Sequence, residues 1–147
     1  MSPPGDVHGA ATINLTLVLG NYVKENELGI VVPEIGFKLE TNPDTVLAPD
    51  LAFIARDRVG DRVPGYRSSP PDLAVEVRSQ WDTKPKIDRK TALWLKLGAK
   101  SVWNLDPKKR TVEVNRADGQ KKLLHETDEL VDDTVPGFRV KVSEIFA

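Results

Sequence analysis

No cysteine occurs among the 147 residues, and histidine is limited to His8 and His125. Without thiols there can be no disulfide framework and no cysteine-held zinc or iron–sulfur centre, which fits a reducing, cytoplasmic setting better than secretion. Long apolar runs are missing as well: the stretch from Ile13 to Leu19 is broken by Asn14 and Thr16. That is far short of a spanning helix or the core of a signal peptide, so a soluble chain with no membrane partner is expected. What remains is enough for one compact domain, residues 1–147, that buries its core without cross-links.

Net charge is only −1, but it is unevenly spread. Residues 1–55 carry 2 basic and 7 acidic side chains, residues 56–122 carry 17 and 9, and residues 123–147 carry 2 and 6. Within the basic middle, Lys84, Lys86, Arg89, Lys90, Lys96 and Lys100 face a single acid, Asp88. Such a run suits a surface that meets phosphates, and equally a solvated helix face.

Apolar residues at Ala11, Leu15, Val18, Leu19 and Tyr22 keep helical spacing over Gly9–Val23, with Gly29 as a stop. Short β-branched stretches follow at Ile30–Val32, Ile35–Glu40, Asp50–Arg56 and Leu73–Ser79, separated by Pro33, Asn42-Pro43-Asp44 and an arginine-rich loop over 57–71. A second helix is expected over Pro85–Leu97, capped by Thr83 and stopped at Gly98. Three meander strands at Ser101–Leu105, Thr111–Asn115 and Gln120–His125, a strand near Phe138–Val142 and a short helical tail complete the chain. This order predicts an α/β fold with a mixed central β-sheet flanked by helices.

Chemistry is sought where periodicity sends charge inward, because a buried charge persists only if it is paired or binds something. In the strand Leu73–Arg78, alternation puts Leu73, Val75 and Val77 on one face and Asp72, Ala74, Glu76 and Arg78 on the other. Asp50 opens a second strand whose body is apolar, and Asp72 reads most simply as a strand-entry residue. On the second helix, Lys90 falls inside the apolar stripe of Ile87, Leu93, Trp94 and Leu97. Its ammonium either snorkels to solvent or meets carboxylates on the sheet beneath. Two strand carboxylates and an inward lysine are the parts needed to hold Mg²⁺ or Mn²⁺ and to bind a scissile phosphate. Glu34, beside Pro33, is either a third ligand or an exposed turn carboxylate. His8 reads as a helix-entry residue and His125 as a meander side chain, while Trp81, Trp94 and Trp103 read as core or rim.

Pro49-Asp50, Pro71-Asp72-Leu73-Ala74-Val75-Glu76-Val77-Arg78-Ser79, Lys90 four residues before Trp94, Leu97-Gly98-Ala99, Val102-Trp103, Asp106-Pro107 and Val112-Glu113-Val114 form an ordered set. Together with Val135-Pro136-Gly137-Phe138 and Ser143-Glu144-Ile145-Phe146, this set resembles the Uma-type family of restriction endonucleases, within the PD-(D/E)XK nuclease superfamily. The resemblance implies a restriction-endonuclease-like fold, Asp50 and Glu76 as metal ligands joined by an acid at Glu34, and Lys90 as a catalytic lysine carried on the helix. The position two after Glu76, a lysine in the common superfamily pattern, is Arg78 here. Arg78 could support catalysis, replace Lys90, or pair with Glu76 and block a metal; an arginine cannot accept a proton.

A metal-dependent endonuclease acting on DNA is therefore the leading expectation. Arg56, Arg58, Arg62, Arg67, Lys84 and Lys86 are candidate phosphate contacts, and a homodimer is one assembly that would cut both strands. The alternatives are an inactive nuclease-fold module that binds nucleic acid or a protein partner, and a structural oligomer whose basic run is merely solvated.

Overall fold

The computed structural model describes Pro3 and residues 5–147. Helix α1 (Asp6–Glu25) aligns Ala11, Leu15, Leu19 and Val23 on one stripe, all of them buried. Full burial of each leucine or valine contributes about 1.5–3 kcal/mol, which is what seats this helix on the sheet. It starts three residues before the expected Gly9, with Asp6 in the first turn, where the helix dipole favours an acid. It ends at an Asn26 cap rather than at Gly29. Gly29 instead opens β1 (Gly29–Val32) at φ +147°, where a Cβ would lie 2.0 Å from the Ile54 carbonyl oxygen. Only glycine permits that approach.

The remaining elements are β2 (Phe37–Glu40), β3 (Thr45–Leu47), β4 (Leu51–Ala55), α2 (Arg56–Val59), β5 (Leu73–Val77), α3 (Lys84–Lys96), β6 (Ser101–Asp106), β7 (Thr111–Arg116), β8 (Lys121–Leu124), β9 (Glu129–Val131), β10 (Arg139–Lys141) and α4 (Val142–Ile145). Six strands form one sheet in the order β1-β4-β5-β6-β7-β8. Only β5 and β6 run parallel, joined by the α3 crossover, and the other neighbours are antiparallel. The sheet is therefore mixed, as the order of elements predicted.

Two apolar layers sandwich it. Leu73, Val75 and Val77 join Trp103, Leu105 and the α1 stripe on one side, with the C-terminal residues Leu130, Phe138, Val140 and Ile145. Ala52, Ala74 and Val102 face the other way, under Trp94 of α3 and Phe37. The Phe37 and Trp94 rings meet edge-on at 5.8 Å. Thr83 caps α3, its hydroxyl accepting from the Lys86 backbone N–H at 3.4 Å, and Pro85 lies in the first turn. Gly98, at φ +116°, follows the Leu97 cap, and a Cβ there would meet the Pro70 ring at 2.8 Å.

Three elements lie outside the sequence expectation: β3, which forms a hairpin with β2 around Asn42-Pro43-Asp44; α2, inside the arginine-rich stretch; and β9, which pairs with β10. Each has three or four residues, too few to show a period. Among the described residues no helix is long and apolar enough to cross a membrane.

Candidate functional site

The register of β4 and β5 assembles the centre of the site. Leu51 pairs with Val75 in the antiparallel ladder, so the preceding Asp50 stands opposite Glu76, and opposed residues share a face. In place of a ladder bond, the Val77 backbone N–H donates to Asp50 Oδ2 at 2.7 Å. The row continues across the sheet: Glu76 pairs with Asn104, and Asn104 with Glu113. Helix α3 covers this row. Lys90 Nζ donates to Glu76 Oε1 at 3.1 Å, and the Trp94 indole N–H donates to Oε2 at 2.8 Å. Lys90 thus takes the inward alternative while its side chain stays 39 % exposed.

Burial is the largest influence on the Glu76 carboxyl. Against the Lys90 charge and the Trp94 hydrogen bond, and with help from the nearby negative charge of Asp50, it pushes the Glu76 pKa up to about 7. A carboxylate so poised, with a second one beside it, is a common signature of a functional cleft.

That cleft has a volume of about 1130 Å³, and Asp50, Glu76, Lys90, Arg78, Glu34, Lys84 and Lys86 all line it. The helix residue His8 lines it too, its Nε2 lying 3.6 Å from Asp50 Oδ1. Sequence reasoning missed His8 because it started α1 at Gly9. With the start at Asp6, His8 precedes Ala11 and Leu15 on the buried stripe, and that spacing is the signal that could have found it. Arg78 does not pair with Glu76; its guanidinium lies 3.6 Å from Asp106 Oδ2 and donates to the Asp82 carbonyl at 3.3 Å.

The other candidate cations lie elsewhere. Arg58 pairs with Asp72 at 3.0 Å and donates to the Pro70 carbonyl at 2.6 Å, and Arg67 donates to the Val59 carbonyl, so both tie down the 56–71 stretch. Arg62 is exposed on that stretch, while Arg56 lines a second cleft of about 920 Å³ with Asp72 and Lys100. The basic middle of the chain does not give a basic site. Five cations, Arg78, Lys84, Lys86, Lys90 and Lys109, line the main cleft against seven acids, Glu34, Asp50, Glu76, Asp82, Asp88, Asp106 and Glu113. Four of the five cations already pair with acids of the same cleft.

The donor set fits a hydrated divalent cation. Asp50 and Glu76 supply hard oxygen ligands, and Mg²⁺ binds through one or two carboxylates while keeping several waters. Asn104 donates to the Thr91 hydroxyl at 2.8 Å, and its enclosed Oδ1 has no donor among the described residues. Glu34 is exposed, and among the described residues no three His, Asp or Glu side chains stand close enough to chelate one ion.

The family model described as "Uma2: Putative restriction endonuclease" matches residues 1–143. The chain belongs to the Uma2 family. Among solved structures, "a putative nuclease belonging to DUF820" from Anabaena variabilis superposes with a TM-score of 0.85 at 20 % identity, covering 99 % of this chain and 83 % of that one. The mixed sheet flanked by helices is thus the fold of that neighbour. No curated protein matches the chain. Membership of Uma2 places the chain in a family described as nucleases, and the finer chemistry rests on the cleft.

Proposed function

We propose that the chain is a divalent-metal-dependent endonuclease hydrolysing DNA phosphodiester bonds in this cleft, with Asp50 and Glu76 holding Mg²⁺ or Mn²⁺ and Lys90 stabilising the scissile phosphate. One observation carries the reading: the register sets Asp50 beside Glu76 on the face under α3, with Lys90 Nζ 3.1 Å from the Glu76 carboxylate. A cation bound there supplies charge neutralisation at the phosphate and lowers the pKa of water. The chain's own groups do the rest. The Val77 N–H and the Trp94 indole fix the two carboxylates, so their orientation costs nothing when substrate arrives. Lys90, whose side chain is 39 % exposed, would offer its ammonium to a phosphate oxygen beside the carboxylates that would hold the cation. His8 Nε2, facing Asp50, is placed to take or give a proton at the cleft wall. Lys84 and Lys86 position the strand without reading bases.

Asp50→Ala should abolish Mg²⁺-dependent cleavage of plasmid DNA. Cleavage equal to that of the intact protein would overturn the assignment.

A second reading, an inactive module that binds nucleic acid or a protein partner, is favoured by one feature. Both Glu76 oxygens already have donors, and no third acid completes a cage among the described residues. Salt-dependent DNA binding with no cleavage in either Mg²⁺ or Mn²⁺ is its outcome.

A further inference from the structure

The three tryptophans have different environments. Trp94 and Trp103 are fully buried, and their indole N–H groups donate to Glu76 and Asp132. Trp81 is 60 % exposed and lines the main cleft. Its exposure is not the result of a loose loop. In the turn between β5 and α3, the Ser79 backbone N–H and hydroxyl donate to Asp82 Oδ2 at 2.9 and 3.2 Å, and the Asp82 N–H returns to the Ser79 carbonyl at 3.1 Å. The Trp81 N–H donates to the Ser79 hydroxyl at 3.3 Å, and Lys86 pairs with Asp82 at 3.4 Å. A large aromatic ring is therefore held out of the core by a fixed turn, at the wall of a cleft that also holds Asp50, Glu76 and Lys90.

We propose that Trp81 is a stacking platform for an unpaired nucleobase, so that the preferred substrate is a single strand, or a duplex with an unpaired base near the scissile phosphate. This rests on the nucleic-acid reading of the cleft and narrows it. Every base has a π-face, and stacking on an aromatic side chain needs no hydrogen-bond readout. In an intact duplex those faces are covered by neighbouring bases, so the ring gains such a partner only where a base is unpaired or extruded. Trp81 lies five positions after Glu76, so their Cα atoms are at most about 18 Å apart, and a base stacked on the ring lies close to a phosphate that meets Lys90.

The test is fluorescence anisotropy of the full chain with labelled oligo-dT and with a blunt duplex of equal length, in Ca²⁺. Trp81→Ala should weaken binding to the single strand by about 5- to 100-fold and change duplex binding less than about twofold, whereas Trp81→Phe keeps most of the single-strand affinity. Oligo-dT should also shield the exposed indole from acrylamide quenching, a readout the two buried tryptophans do not supply. Undiminished single-strand affinity in Trp81→Ala overturns the proposal while the cleft remains a DNA site. Equal losses on both probes overturn the preference for unpaired bases. No binding of either probe by the intact protein overturns the nucleic-acid reading and this proposal together.

Discussion

Two acids four residues apart at β5, Asp72 and Glu76, meet opposite fates. Asp72 is 1 % exposed, accepts from the Ala55 N–H at 2.7 Å and is flanked by Arg58 at 3.0 Å and Lys100 at 3.2 Å. A buried carboxylate so surrounded joins the 56–71 stretch and the start of β6 to the sheet. Glu76 has one lysine, one indole N–H and an acidic neighbour, and its pKa is raised to about 7. The contrast shows how one strand can commit one acid to structure and leave another with fewer cations around it, which is where a positive ligand is proposed to bind. The second cleft beside Asp72 is walled by ion pairs, with Arg116 bonded to Asp132 and Asp133.

The contrast can be broken by substitution. The largest expected effect is Asp72→Ala, which strands the cations around it and removes the acceptor for Ala55. It should cost about 3 kcal/mol in urea unfolding while leaving cleavage per folded molecule unchanged. Unaltered stability would erase the distinction between the two acids.

Glu76→Gln acts in the opposite direction. The folded pKa of about 7 lies above the ordinary glutamate value of 4.5, so the intact protein loses stability as pH rises from about 4.5 to about 7, where the unfolded chain ionises first. Glutamine removes that dependence and, since the raised pKa already includes the Lys90 pairing, should gain about 3 kcal/mol at pH 8 and almost nothing at pH 4. Thermal melts of both proteins across pH check it.

Metal affinity sharpens the same point. Binding must displace the Glu76 proton below about pH 7, so Mg²⁺ should bind about tenfold more weakly at pH 6 than at pH 8. An affinity flat across this range would remove Glu76 from the ligand set. The smallest effects belong to the rim: Lys84→Ala and Lys86→Ala should each change stability by less than about 1 kcal/mol and lower the salt slope of DNA binding by about one.

The parts of the molecule with long periods were legible in the sequence. The apolar stripe of α1, the alternation of β5 and the Thr83 cap with Pro85 announced their elements, while Lys90 inside an apolar stripe left solvent and a sheet carboxylate as equal alternatives, between which the fold chooses Glu76. The pairing of Asp50 with Glu76 is a matter of register, which only the folded ladder supplies. His8 escaped because a helix start can be misplaced by three residues without disturbing the pattern that follows. The basic middle misled for a physical reason: charge counted along the chain ignores pairing, and Lys84, Lys86 and Lys90 fold back onto Asp88, Asp82 and Glu76. Arginines 58 and 67, expected as phosphate contacts, donate to the Pro70 and Val59 carbonyls, and Arg58 also pairs with Asp72.

The central claim is that Asp50 and Glu76 together hold a divalent cation. Calorimetric titration of Mn²⁺ into the intact protein and into Asp50→Ala and Glu76→Ala, with and without a cleavage-resistant phosphorothioate oligonucleotide, tests it most directly. The account predicts saturable binding by the intact protein that both substitutions abolish; no binding to the intact protein in either condition, or binding that survives both substitutions, would contradict it.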